Sequence, residues 1–151
     1  MEIDRVAASA GLLAAAGLHA AWGAGSAWPF RERAALADAV IGTAEVPGPA
    51  ACLAVSGALG VAGALTAGWP ARHPAVRRAG VGVAAAVLAS RGSLGLAGQT
   101  RLVSPGSVSA RFTRLDRRVY SPLCLTLAGL AALSARPANR ASAGTHLPRG
   151  R

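Results

Sequence analysis

The chain has 151 residues, 52% of them hydrophobic but only 4% aromatic, and its formal net charge is +10 from sixteen arginines, no lysine and six acids. That length suits a single domain, and two cysteines make neither a disulfide framework nor a zinc set. On a soluble chain the charge would point to nucleic acid; here the arginines lie almost wholly between apolar blocks, where membrane-flanking charge belongs, so no nucleic-acid partner is expected.

Residues 6–30 carry no formal charge, and about 20 apolar residues suffice to cross a bilayer core. A first helix is predicted over residues 5–26. Ala10, Ala14, Gly17 and Ala21 recur at helical spacing as a face for close helix contact, and Trp22 and Trp28 sit toward the interface. Glu2 and Asp4 do not suit the basic start of a cleaved signal, and the apolar run is too long for one, so this span is expected to stay in the mature protein. Residues 31–45 form a polar loop whose middle can make a short amphipathic surface helix. A second helix is predicted over 48–69, with Gly57, Gly60 and Gly63 as packing positions and Trp69-Pro70 at its exit. After a basic turn with Arg72, His73, Arg77 and Arg78 comes a third helix, 75–97, interrupted by Arg91.

Residues 100–118 read as the longest internal loop, broken by SPGS at 104–107 and basic thereafter. The segment 111–127, RFTRLDRRVYSPLCLTL, then switches from charged to apolar; residues 119–135 carry no charge. Ser121-Pro122 suits a helix start, because Ser can cap free N–H groups and Pro at the first position has none to lose. The fourth helix is placed at 117–135, and the polar tail 137–151 is expected to be disordered. None of the four stretches has the polar stripe of a soluble amphipathic helix. The expected fold is therefore all-α, a four-helix transmembrane bundle over residues 1–136, multi-pass in the cytoplasmic membrane, with the lipid bilayer as its first partner.

Four crossings put both termini on one side with the turn between the second and third helices, which carries Arg72, Arg77 and Arg78. That side carries eight arginines and the other seven, a balance the positive-inside rule does not separate. The mobile tail and the three arginines of the short turn favour termini on the cytoplasmic side.

Three motifs stand out: Leu18, His19, Trp22, Gly25 and Pro29; Arg91 with Gly92; and Phe112, Leu115, Asp116, Tyr120, Ser121, Pro122, Leu123 and Cys124. In these motifs the chain resembles a family of small bacterial membrane proteins known as domain of unknown function 3995. The resemblance covers nearly the whole chain apart from the tail, and implies a four-helix integral membrane protein with no activity attached.

On this topology His19, Trp22, Arg91, Asp116, Tyr120 and Cys124 fall in one half of the membrane. Arg91 is the strongest candidate, because an ionisable group at that depth needs a partner, and Asp116 is the one acid in the second half of the chain. The pair can serve an anion or headgroup site or tie two helices together. His19 can act as a proton relay or metal ligand, but it has no second membrane histidine beside it; bonding to a neighbouring helix is the plainer reading. Cys52 and Cys124 lie at matching depths, as a redox pair or as small apolar fillers. No cofactor or metal is expected. Three functions fit: a protein that binds a lipid, amphiphile or membrane partner through the face holding Arg91 and Asp116; a membrane enzyme or redox protein using His19, Asp116, Tyr120 or the cysteines; and an oligomeric transporter or channel.

Overall fold

A computed structural model describes residues 2–43, 45–99 and 109–136. Among them there are helices and turns and no strand. The helices are α1 (Glu2–Gly23), α2 (Arg33–Val40), α3 (Pro49–Ala67), α4 (Pro74–Leu96), α5 (Ala110–Leu115) and α6 (Ser121–Ser134); a π-helical turn, Asp116–Tyr120, joins the last two into one rod. α1, α3 and α4 are long and apolar enough to cross a membrane. The expected breaker at 104–107 and tail at 137–151 lie outside the described residues.

Prolines set two starts. Pro49 and Pro74 open α3 and α4, where the missing N–H is no loss. Three helices end one or two residues before a glycine with positive φ: Gly25 (φ 102°), Gly68 (φ 109°) and Gly98 (φ 75°). At α3, Trp69 N–H donates to Ala64 O (3.0 Å) and Gly68 N–H to Leu65 O (3.1 Å), a paired closure that requires a left-handed residue at its centre. These glycines end α1 and α3 at 23 and 67; hydropathy runs on through them, which put the expected ends at 26 and 69.

The largest departure is at the fourth helical stretch. Residues 109–118, expected as loop, are helical from Ala110. Ser109, not Ser121, is the cap: its hydroxyl accepts from Phe112 N–H at 3.1 Å. Pro122 therefore lies inside a continuous helix, where its ring would clash with the carbonyl four residues back and one ladder bond is lost. The π turn accommodates this. Ser121 N–H reaches back five residues to Asp116 O, the one-residue widening typical of a π-bulge.

The four long stretches pack antiparallel in sequence. Ser9 Oγ donates to Gly63 O (3.0 Å) and Ser56 Oγ to Ala16 O (2.8 Å) across α1 and α3. At each interface a glycine receives a leucine from the neighbour: Gly11 takes Leu127, Gly63 takes Leu13, Gly80 takes Leu65 and Gly92 takes Leu125, and a Cβ on any of them would lie 2.5–2.9 Å from the leucine. Close approach through small residues is how apolar helices associate without a hydrophobic driving force. The buried stripe of α1 is Ala8, Ser9, Leu12, Ala16 and Trp22. The expected contact face of α1 was wrong by about half a turn: Ala10, Ala14 and Gly17 are exposed and Ala21 is half-buried, and Gly57 and Gly60 meet nothing among the described residues. Large apolar side chains cover the outside instead, among them Leu53, Val61, Val83, Val87, Leu123 and Leu133, with Trp28 and Trp69 exposed at opposite ends.

Candidate functional site

The candidate residues gather at the end where α2 meets the segment 109–120. These two pieces pack on each other. Ser109 N–H donates to Gly42 O (3.1 Å), Ser109 Oγ to Asp38 O (3.3 Å) and the Tyr120 hydroxyl to Ala39 O (3.0 Å). Arg111 adds an exposed ion pair to Asp38 at 3.5 Å and lies over the Phe30 ring, 5.2 Å from its centre. α2, expected as a surface helix, thus buries Leu36, Ala37 and Ala39 and roofs this end.

Beneath the roof the polar residues separate into two groups. The first joins α4 to the π turn. Arg91 Nη2 donates to Asp116 Oδ1 at 2.7 Å, with the arginine side chain 24% exposed and the aspartate not at all. Ser121 Oγ donates to the same oxygen at 3.3 Å; the π turn stacks residues five apart and so brings this hydroxyl over the carboxylate. Arg91 Nη1 and Asp116 Oδ2 are buried with no hydrogen-bond partner among the described residues. Both border Gly95, where a Cβ would stand 2.9 Å from Nη1 and 2.7 Å from Oδ2 and collide with Ser121 Oγ. Arg117, against Gly98, lies at the C-terminal end of α4, where a cation meets the negative end of the helix dipole.

The second group is a pocket of about 160 Å³ between α1, α3 and α2, lined by His19, Trp22, Leu36, Val40, Pro47, Ala51, Cys52 and Val55 among others. Trp22, Leu36 and Cys52 form the local core with Leu18, Phe30, Val40 and Val46 around them. Three of the lining residues are exposed and edge its mouth: Pro47, just before α3, and Ala51 and Val55, one helical turn apart on α3. The His19 and Trp22 rings are 4.9 Å apart and inclined at 58°. His19 Nδ1 lies 2.8 Å from Ala15 O; because a carbonyl only accepts, Nδ1 carries a proton.

Arg91 and Asp116 are thus brought together, and His19 and Trp22 are brought together with Cys52, but the two groups line different helix interfaces. Tyr120 ties the roof down. Cys124 is half-buried on α6 and both cysteines are free; Cys52 belongs to the α1–α3 pocket, so the two do not form a disulfide. Ser121 and Gly95 escaped the sequence reading. Ser121 was read as a cap, and only the π turn turns it to Asp116. Gly95, one turn after Arg91-Gly92, was readable as space beside the charge.

The family model described as "Protein of unknown function (DUF3995)" matches residues 12–131, which include all three resemblance motifs. No curated protein and no solved structure matches the chain.

Proposed function

We propose, from the premise that the chain belongs to the family of proteins of unknown function DUF3995, that it is a membrane protein of four crossings whose roofed end holds a small apolar or amphiphilic ligand. The fourth crossing is assigned to residues 110–134. Its uncharged part, residues 119–134, reaches about 24 Å at 1.5 Å per residue, close to the thickness of a hydrocarbon core. The apolar exterior and the exposed Trp28 and Trp69 at opposite ends support a bilayer around the helices. We place the protein in the cytoplasmic membrane with its termini inside, on the basic α3–α4 turn.

The observation that carries the binding reading is the pocket. It is apolar, about 160 Å³, and an apolar cavity of roughly that volume stays dry and takes a six-membered ring. Its mouth is edged by Ala51 and Val55, exposed on α3, so a ligand dissolved in the bilayer can enter sideways. The Arg91–Asp116 face is assigned a different part. The pair directs its charges inward at each other and at Ser121, and serves to hold α4 against the π turn rather than to meet a headgroup.

Fluorobenzene tests the pocket. In detergent, the wild-type protein should show a 19F resonance separate from that of the micelle-dissolved compound. Ala51→Leu fills the mouth from an exposed position and should abolish that resonance while leaving the fold intact. A wild-type spectrum with the micellar resonance alone would remove the binding reading.

A further inference from the structure

The pocket's side chains leave one unspent hydrogen-bonding position. Trp22 Nε1–H donates to Trp28 O at 2.8 Å. Cys52 Sγ–H donates to Pro47 O at 3.5 Å. His19 Nδ1–H is committed to Ala15 O at 2.8 Å. The other lining side chains named above are aliphatic. Among the described side chains of the lining, what remains is His19 Nε2. With one proton on the ring, held on Nδ1, Nε2 is an acceptor with a free lone pair, beside the Trp22 ring at 4.9 Å.

We infer that the ligand of this pocket is an uncharged, ring-sized molecule carrying one hydroxyl, which donates to His19 Nε2 while its ring packs against Trp22. This rests on the pocket reading above and narrows it. Three features select the class. About 160 Å³ admits a single six-membered ring and excludes a whole lipid or a fused polycycle, since sites for larger molecules run from several hundred Å³. Among the described residues no acid or arginine lines the pocket, so an ionised ligand would lose its hydration without a counter-charge. The lone acceptor needs a donor, and a ligand without one leaves Nε2 dry and unpaired. A phenol is the simplest compound with all three properties. The ring end of a larger membrane-dissolved phenolic amphiphile would also satisfy them, its chain leaving by the mouth at Pro47, Ala51 and Val55.

Phenol and benzene, competing for the protein-bound fluorobenzene resonance, separate the possibilities; each concentration is referred to that compound's own partition into the micelle. In the wild type phenol should compete at roughly three- to tenfold lower micellar concentration than benzene, the range expected for one buried hydrogen bond. In His19→Leu the two should compete equally, and in His19→Gln, which keeps an acceptor, the preference should be partly restored. Equal competition in the wild type overturns the hydroxyl inference and leaves the pocket reading standing. A preference for phenol that survives in a folded His19→Leu also overturns it. Absence of any bound fluorobenzene resonance removes the pocket reading itself. The wild-type comparison needs no variant, so the inference stays decidable if His19→Leu does not fold.

Discussion

A carboxylate with no exposure needs compensation, and Asp116 draws it from two elements: a guanidinium at 2.7 Å from α4 and a hydroxyl at 3.3 Å from its own rod. Removing one partner of a buried pair strands the other charge, at about 3–5 kcal/mol when the site is dry. Arg91 is 24% exposed, which allows some hydration of an orphaned partner and moves the loss toward the lower figure. Arg91→Ala and Asp116→Ala should each lower the unfolding midpoint in detergent, and the double variant should lose less than the sum of the two. Additive losses would mean that the pair contributes nothing as a pair. Ser121→Ala should cost less, about 0.5–1.5 kcal/mol, as the loss of one hydrogen bond that leaves the ion pair in place.

At the scale of the helices, the glycines fall into two sets that a sequence reader sees as one. Gly95 borders the ion pair, and an added Cβ has no room there. Gly95→Ala should destabilise by about 1–3 kcal/mol, as overpacking does, and should weaken the Arg91–Asp116 coupling with it. Gly60 lies on the same kind of helix with nothing within 4 Å of its Cβ position. Gly60→Ala should be neutral or mildly stabilising, since alanine forms helix better than glycine. The comparison is made by thermal unfolding in one detergent; equal losses at the two positions would contradict the packing described for α4 and the π turn. The π turn also explains why a proline is tolerated mid-rod: the widened ladder already omits the bond that Pro122 cannot make.

For the molecule as a whole, the decisive question is the number of crossings. Single cysteines introduced at Glu32, Ala71 and Arg136 in a Cys52→Ala, Cys124→Ala background report it through a membrane-impermeant maleimide applied from each side in turn. With four crossings, Ala71→Cys and Arg136→Cys label from one side and Glu32→Cys from the other. Arg136→Cys labelling together with Glu32→Cys would show that residues 110–134 do not cross, leaving the three spans of α1, α3 and α4. The protein should also stay with the membrane fraction until detergent is added; release by low-salt lysis would contradict the apolar exterior as a lipid-facing surface.

Charge-free length is a local property, so the sequence alone determined that the chain is helical and apolar over the spans of α1, α3 and α4, and that Arg91, as a charge in such a span, needed a partner. Asp116 could be named as that partner because it is the one acid in the second half of the chain, and hydropathy with connectivity placed both at one end. The glycines that end three helices, Gly25, Gly68 and Gly98, are also visible in the sequence, but hydropathy runs through them and hides the boundaries. Other features were not local. Whether Gly63 or Gly57 meets a leucine depends on the rotation of one helix against the next, which composition does not encode. The direction of Ser121 depends on one extra residue in a turn, set by a proline and a buried carboxylate together. The pocket beside His19 exists only because α2 folds back over α1 and α3 and is held there by Ser109 and Tyr120, about 70 to 80 residues away in sequence. Only the tertiary structure decides contacts of that separation, because many weak surfaces must close at once before any of them is worth forming.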